Sequence, residues 1–302
     1  MSWLQFTIAL ETHEAEAFEA VLVSHGAVAV TYESQAQEVV LEPAPGEIPM
    51  WQQINLLALF SLDTPIDGLN AALRKLDPSI QRRLDVAFIA EEDWQQRLAN
   101  HTVRAEFGQR LRLLPKSEMH AAAAEPMPRD KIAMYLEPGL AFGSGSHPTT
   151  RLCLEWLACN IQANQRVLDF GCGSGILAIA AAQLGATVVA VDHDDQAVLA
   201  SRENADFNGI GQRIETFSLA RWELEQHDYD QHFDVVVANI LALPIIDLAP
   251  SFCRYLAPQG DLALSGILAH QAQQVTEAYA GAITFAPTTT EAEWVCLTGR
   301  LK

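Results

Sequence analysis

The sequence predicts an α/β protein in two parts, a doubly wound domain preceded by a smaller α/β domain. Its 302 residues are about twice the length of a common single domain, which favours two domains over one. Hydrophobic residues make up 49% and charged residues 19%, so the chain can bury a substantial core and is not disordered. In the C-terminal part, apolar runs alternate with helical stretches, which is typical of a parallel sheet covered by helices on both faces.

The smaller domain is predicted from the order of elements in residues 1–88. Alternating apolar residues indicate strands, and apolar residues repeating every three to four positions indicate helices. The expected elements are a strand at 3–10, a helix at 13–24, strands at 27–32 and 38–41, a helix or strand at 51–60, a helix at 66–76 and a strand at 83–90. Gly26 is the residue that stops the first helix. This β-α-β-β-α-β order predicts a ferredoxin-like domain, whose role we expect to be binding.

A connecting segment is expected at residues 89–130, with a strand at 110–114 and a loop rich in alanine and proline at 121–130. The doubly wound domain follows at residues 131–302. Its predicted strands lie at 167–170, 187–191, 235–238 and 262–264, and its predicted helices at 149–159, 176–184, 196–208, 245–256 and 270–279. Ligands of such sheets bind at the carboxyl ends of the strands, so the residues of a site are expected there.

The charge of the chain is acidic and unevenly distributed. It has 38 Asp and Glu against 19 Lys and Arg, a net charge of −19, and its first 73 residues hold ten acids and no base. Binding a phosphate backbone needs cationic side chains, so we expect no direct nucleic-acid binding. The acidic segment would attract a basic protein, or it serves only as a solvated surface.

The N-terminus lacks the basic and apolar regions of a secretory signal, and no apolar run is long enough to span a membrane. We therefore expect a cytoplasmic protein with no membrane contact. The five cysteines include no C-x-x-C pair, which favours reduced thiols over disulfides. The nine histidines are scattered, and we predict no metal site.

The strongest local motif follows the buried strand at 167–170 and leads into a helix. It reads D-x-G-x-G-x-G, with Asp169 two residues before Gly171, and Gly173 and Gly175 after it. An acid at that point would repel a pyrophosphate but can accept hydrogen bonds from an ammonium group. The spacing favours S-adenosylmethionine over NAD as the cofactor, although Gly175 can equally serve only close helix packing.

Asp192 ends the next strand, 21 residues beyond Gly171. A carboxylate at this place in nucleoside-binding sheets accepts hydrogen bonds from both ribose hydroxyls. Both a dehydrogenase and a methyltransferase would need such an acid. The alternative is that Asp192 only caps the following helix, together with Asp194 or Asp195.

Asn239 ends the strand at 235–238, again at the carboxyl edge. Its side chain offers an acceptor and a donor without charge, which suits holding an amine nucleophile whose lone pair must stay free. Ile240 and Leu241 follow it where a base methyltransferase would have Pro-Pro-aromatic, so methylation of a nucleic-acid base is disfavoured. A lone Asn at a strand end can also be a turn residue.

A glycine- and serine-rich stretch at residues 138–150 precedes the helix at 149–159. It contains Phe142, His147 and Thr150, and Pro148 suits the start of the helix. Its position next to the cofactor strand favours a lid over a plain connector. His147 is a candidate proton acceptor, with a structural role at the helix start as the more common alternative.

These stretches together resemble the ribosomal protein L-11 methyltransferases (PrmA). The resemblance is carried by LEPGLAFGSGSHPTTRLCLEWL, VLDFGCGSGILAIAA, VDHDDQAVLASRENADFNGI, VVVANILA, DLAPSFCRYLAP, LSGILAHQ and EWVCLTG, which span residues 136–299. It implies a Rossmann-like methyltransferase domain that uses S-adenosylmethionine to methylate the α-amine and lysine ε-amines of a large-subunit ribosomal protein. From the acidic N-terminal segment we expect that protein to be free of the ribosome when it is bound. The resemblance also implies that the N-terminal domain recognises that protein.

The resemblance further implies cofactor contacts at Thr150 in the lid, Gly171, Asp192 and Asn239. We expect Phe142 of the lid to contact the cofactor as well. The chain departs from the family pattern at Ser144, Ser146 and Leu243, and the segment 91–125 matches poorly. A small-molecule amine methyltransferase with an extra binding domain is the alternative function. A dehydrogenase and a non-enzymatic ribosome-assembly protein are less favoured.

Overall fold

The computed structural model describes residues 3–35, 51–66, 68–89, 104–119, 131–136 and 145–302. The chain divides into two units, Met1–Asn100 and His101–Lys302. The second unit begins before residue 131 because residues 104–119 belong to it. The segment expected to connect the domains therefore includes part of the C-terminal fold.

The N-terminal unit is a four-stranded antiparallel sheet with two helices. Its elements are β1 (Trp3–Glu11), α1 (Ala15–Ser24), β2 (Ala29–Ser34), β3 (Gln53–Ser61), α2 (Leu69–Leu76) and β4 (Leu84–Ile89). The strand order β2-β3-β1-β4 and the chain order confirm the predicted ferredoxin-like fold. The ambiguous segment at 51–60 is a strand, and the strand expected at 38–41 lies outside the described residues.

The alternation of apolar residues in β1 and β3 explains this packing. Phe6 lies opposite Ala58, and Ile8 lies opposite Leu56, so the buried side chains of both strands share one face. The helices cover that face with buried residues such as Phe18 and Leu73. The sheet thus buries one face with a strictly apolar set.

The C-terminal unit begins with a small sheet of β5 (Ala105–Phe107), β6 (Leu111–Pro115) and β7 (Ile132–Leu136). The strand predicted at 110–114 is confirmed as β6. Phe107 and Leu113 are buried in the same core as the helices of this unit, which is why the segment belongs here. Asn208 closes the other edge of β7, because its side chain accepts from Tyr135 N and donates to Tyr135 O, both at 2.8 Å.

The large sheet of this unit is mostly parallel. Its strands are β8 (Arg166–Phe170), β9 (Thr187–Asp192), β10 (Ile214–Ser218), β11 (Phe233–Asn239), β12 (Leu256–Leu268), β13 (Ile283–Phe285), β14 (Thr289–Glu291) and β15 (Trp294–Leu301). Their order is β10-β9-β8-β11-β12-β15-β13, with β14 paired to β15. The strands β8 to β12 are parallel, and β15 is antiparallel to β12.

Helices cover both faces of the large sheet. They are α3 (Pro148–Asn160), α4 (Ile176–Gln183), α5 (Asp195–Phe207), α6 (Leu219–Glu225), α7 (Ala242–Asp247), α8 (Ala249–Tyr255) and α9 (Ala272–Tyr279). Two separate apolar clusters lie against the two faces, which confirms the doubly wound prediction. The single helix predicted at 245–256 is instead two helices, α7 and α8. Pro250 lacks the N–H that a continuous helix would need there.

The order of the strands creates a crevice at the carboxyl ends of β8 and β11. The chain runs outward from β8 through β9 and β10 on one side, and through β11 and β12 on the other. Such a reversal leaves space between the two sets of connections, and ligands bind there. The candidate residues of the sequence lie at this edge.

The five cysteines are all free thiols. In the parts of the chain that the structure describes, no three His, Cys, Asp or Glu side chains converge as a metal site would require. None of the described helices combines the length and apolar character needed to cross a bilayer.

Candidate active site

The turn between β8 and α4 brings the backbone close to its neighbours. Gly171 has a φ of +81°, and a β-carbon there would overlap Ile240 Cγ2. A β-carbon at Gly175 would overlap Ser201 Oγ on α5, so close helix packing accounts for this glycine. Only glycine meets the requirements of this turn at both positions.

Asp192 ties the end of β9 to the glycine turn. It is 7% exposed, and its Oδ2 accepts a hydrogen bond from Gly173 N at 2.8 Å. Its Oδ1 accepts from Asp194 N at 3.0 Å and lies 3.1 Å from His193 Nδ1. The cap of α5 is Asp194, whose side chain accepts from Gln196 N. The helix-capping alternative therefore applies to Asp194 rather than Asp192.

Asp169 is fully buried beneath the same turn. Its Oδ2 accepts from Ala178 N at 2.9 Å, whereas its buried Oδ1 has no hydrogen-bond partner among the described residues. Burial raises the pKa of this carboxyl to about 7; the hydrogen bond from Ala178 opposes that shift, and the nearby Asp192 charge adds to it. A buried acceptor without a partner is costly, so a donor from a ligand would stabilise it.

Asn239 and Thr150 meet across the crevice. Asn239 Nδ2 donates to Thr150 Oγ1 at 3.2 Å, and Thr150 is fully buried in the first turn of α3. With Nδ2 engaged, the buried Asn239 Oδ1 remains an acceptor with no partner in the described structure. The arrangement presents one uncharged acceptor at the carboxyl end of β11.

His147 caps the N-terminus of α3. Its Nδ1 accepts from Thr149 N at 3.3 Å and lies 2.7 Å from Thr149 Oγ1. Its ring packs edge-on against Trp294, with the ring centroids 5.0 Å apart. Burial lowers the pKa of His147, while the charges of Glu293 and Glu291 raise it. Because the cap uses the Nδ1 lone pair, this nitrogen cannot also accept a proton from an amine.

The structure thus brings most of the predicted residues to one edge of the sheet. Thr150 bonds to Asn239, and Asp192 bonds to the glycine turn above Asp169. Phe142 lies outside the described residues. Sequence reasoning missed Trp294 beside His147, because the strand that carries it, β15, was not predicted.

These residues fit a sulfonium nucleoside better than a pyrophosphate. Asp169 and Asn239 both offer buried acceptor oxygens, which need donors such as the N–H groups of an ammonium or an amine. Asp192, at the end of β9, accepts from Gly173 N of the turn and could accept from a ribose in either class of enzyme. The two buried acceptors without partners among the described residues therefore favour S-adenosylmethionine over NAD.

The comparison with known families agrees with this chemistry. The family model for ribosomal protein L11 methyltransferase (PrmA) matches residues 2–302. The chain belongs to this family. The ribosomal protein L11 methyltransferase of Ectopseudomonas mendocina (strain ymp) is 45% identical over 301 residues, covering 99% of each chain. That of Histophilus somni (strain 129Pt) is 40% identical over 305 residues, covering 100% of this chain and 99% of its own.

A solved structure of a ribosomal protein L11 methylase, from Lactobacillus delbrueckii subsp. bulgaricus, shares 33% identity and a TM-score of 0.57. The match covers 66% of this chain and 98% of that one. Membership of the L11 methyltransferase family confirms the resemblance found in the sequence. The chain is accordingly an S-adenosylmethionine-dependent protein methyltransferase, and the dehydrogenase alternative is wrong.

Proposed function

We propose that the enzyme methylates the α-amine and lysine ε-amines of ribosomal protein L11 at the carboxyl edge of its large sheet, with Asn239 holding the amine. The observation that carries this proposal is the buried Asn239 Oδ1, which has no partner in the described structure while Nδ2 is fixed by Thr150. An acceptor of this kind can take one N–H of a neutral amine and leave the nitrogen lone pair unobstructed.

The cofactor would be held by the glycine turn and the two acids around it. Asp192 would accept from the ribose hydroxyls, and Asp169 would accept from the ammonium of the amino-acid end. When bound, the cofactor supplies an electrophilic methyl group on a sulfonium. The ammonium would also stabilise the ionised form of Asp169, whose pKa of about 7 in the ligand-free chain reflects its burial.

The amine must be neutral to react, and this is harder for lysine than for an α-amine. With reference pKa values of about 8 and 10.4, roughly a tenth of α-amines but fewer than about one in a thousand lysines are neutral near pH 7. Removing the amine from water lowers its pKa and increases the neutral fraction. Asn239 suits this task because it adds no charge that would hold the proton on the nitrogen.

His147 is proposed as a positioning residue rather than the proton acceptor. Its Nδ1 caps α3 and thereby places Thr150, which in turn holds Asn239. The packing of Trp294 against its ring fixes the same helix end. The proton of the substrate ammonium would then leave to solvent before the amine is enclosed.

The acidic N-terminal domain is proposed to dock the substrate protein before it is assembled with RNA. The first 73 residues carry ten acids and no base, which favours a basic protein partner and disfavours a phosphate backbone. Charge of this kind raises the rate of encounter with a basic partner. The substrate would be free L11 in the cytoplasm.

The decisive experiment is methyl transfer from labelled S-adenosylmethionine to purified L11, read by mass spectrometry of the modified peptides. We expect label at the N-terminal amine and at lysines. Label on small amines but not on L11 would contradict the substrate, and would favour a small-molecule methyltransferase. Transfer that survives in full after Asn239→Ala, at saturating cofactor, would contradict the role of Asn239.

A further inference from the structure

The residue after Asn239 is confined on two sides. On one side, a β-carbon at Gly171 would overlap Ile240 Cγ2. On the other, a β-carbon at Gly266 would overlap the Ile240 carbonyl oxygen and lie 2.7 Å from its carbonyl carbon. Ile240 therefore packs directly against the backbone at two glycines. Gly171 belongs to the turn at the cofactor crevice, and Gly266 lies within β12.

The backbone around Gly266 is held in place by neighbouring strands of the sheet. The register between β12 and β15 shifts between Leu264 and Ile267, which places Ser265 and Gly266 in an irregularity of the strand. Ser265 lies opposite Asn239, and its buried hydroxyl donates to Val295 O at 2.9 Å. Gly266 has a φ of +83°, a conformation that favours glycine. Such irregularities bend a strand and are common beside active sites.

The direction of Asn239 depends on this contact. Asn239 is the last residue of β11, so no further β11 residue fixes the chain beyond it. Among the described residues, its side chain makes one hydrogen bond, from Nδ2 to Thr150. Besides the pairing of Asn239 with Ser265, the backbone at Ile240 adds a constraint on where Oδ1 lies.

We propose that Ile240 is a positioning residue that directs Asn239 Oδ1 toward the substrate amine. Ile240 is held between Gly171 and Gly266, and these three residues are called the clamp below. The proposal rests on the proposed role of Asn239. Methyl transfer needs the reacting atoms about 3 to 3.5 Å apart and aligned, so a misplacement of about 1 Å costs roughly 100-fold in rate. The clamp thus acts on the rate of transfer and not on the affinity for the cofactor.

The first test is Gly266→Ala, which pushes a methyl group into the Ile240 carbonyl. We expect kcat for L11 methylation to fall about 100-fold, and the calorimetric Kd for S-adenosylhomocysteine to change less than about twofold. The matched control is Gly209→Ala. Gly209 has a similar left-handed φ of +69° but nothing within 4 Å of the added carbon, so this variant carries the backbone strain without the contact.

A second pair of variants keeps the test decisive if Gly266→Ala fails to fold. Ile240→Ala removes the Cγ2 atom that meets Gly171, whereas Ile240→Val retains it. We expect about a tenfold loss of kcat in Ile240→Ala and near-complete recovery in Ile240→Val. Thermal unfolding of both variants shows whether the loss follows stability, which a purely structural role would require.

A double-mutant cycle with Asn239→Ala distinguishes failure of the proposal for Ile240 from failure of the proposed role of Asn239. If Ile240 acts through Asn239, then Ile240→Ala or Gly266→Ala causes no further loss once Asn239 is alanine. Additive losses, unchanged kcat in both clamp variants, or a loss confined to cofactor Kd would overturn the proposal. Full activity of Asn239→Ala alone would instead contradict the role of Asn239 itself, and it is measured independently of the clamp variants.

Discussion

The two units of the chain differ in what their cores contain. In the described part of the N-terminal unit, the buried side chains are all apolar. The described residues of the C-terminal unit include nine buried polar or charged side chains, which are Thr149, Thr150, Asp169, Ser174, Asp192, Ser201, Asn204, Thr216 and Ser265. Burying a polar group is costly unless it is paired, so a core holding many of them serves more than stability.

The difference agrees with the proposed division of labour, with chemistry in the C-terminal unit and substrate docking in the N-terminal unit. Asp169 lies in β8, Asp192 ends β9 and Thr150 lies in the first turn of α3, around the proposed cofactor crevice. In the N-terminal unit, the charges lie at the surface of an ordinary apolar core. Substitutions in the first unit should therefore change substrate encounter, while substitutions in the second should change turnover, cofactor affinity or the dependence of stability on pH.

The largest expected effect is that of Asn239→Ala. Removing one positioned polar group that acts in the transition state lowers kcat by about 100-fold or more. The Kd for S-adenosylhomocysteine should stay nearly unchanged if the lost oxygen binds the substrate amine, as proposed. Asn160→Ala is the matched control, since Asn160 is an exposed residue that donates only to Trp156 O within its own helix. Equal losses in the two variants would contradict the assignment.

Asp169 predicts a dependence of stability on pH. Its pKa is raised by burial from 3.8 to about 7, so between these values the folded chain binds more protons than the unfolded chain. Stability from this group is therefore fullest near pH 4 and is lost as the pH rises through 7. Between pH 5 and pH 7, the free energy of unfolding should fall by about 2 kcal/mol more in the wild type than in Asp169→Asn, measured by urea denaturation. Parallel pH curves for the two proteins would contradict this.

Asp192→Asn should weaken cofactor binding. The variant keeps the shape and one acceptor, for Gly173 N, but it loses the acceptor for Asp194 N and the charge that strengthens hydrogen bonds to hydroxyl donors. Loss of a charge-assisted bond corresponds to roughly a tenfold higher Kd. Calorimetry with S-adenosylhomocysteine measures it, and kcat at saturating cofactor should be retained. A normal Kd would show that the ribose is bound elsewhere.

The smallest effect is expected from reversing charge in the N-terminal unit. The double variant Glu33→Lys and Asp63→Lys changes two exposed acids. We expect KM for L11 to rise about threefold at low salt and the difference to shrink as salt is added, with kcat unchanged. Glu223→Lys, an exposed acid of the C-terminal unit, is the control. A rise in KM of the same size in Glu223→Lys would show that only net charge matters.

The sequence predicted the elements whose patterns are local and strong. The strands that carry Asp169 and Asp192 were clear because buried parallel strands are continuously apolar. The short strand β10 and the antiparallel β15 were missed, since their exposed and buried residues do not repeat in a simple way. With β15 unseen, the contact of Trp294 with His147 could not be anticipated.

The residues of the candidate site were also predictable only where the local sequence pattern is strong. Asp169, Asp192 and Asn239 could be proposed from the sequence because each lies at the carboxyl end of a recognisable strand. The bond between Asn239 and Thr150 joins residues 89 positions apart, and no local pattern carries it. The contact of Ile240 with Gly266 likewise depends on two strands coming together. The residues of the site can thus be predicted from the sequence, whereas the residues that they contact are known only from the folded structure.

The closure of β7 by Asn208 has a consequence for association between copies. A bare strand edge offers a template on which another chain can add a strand. The side-chain amide of Asn208 forms hydrogen bonds with both the backbone N–H and the backbone carbonyl of Tyr135, as a neighbouring strand would. One side chain from the end of a helix therefore protects this sheet against intermolecular strand addition, without lengthening the sheet.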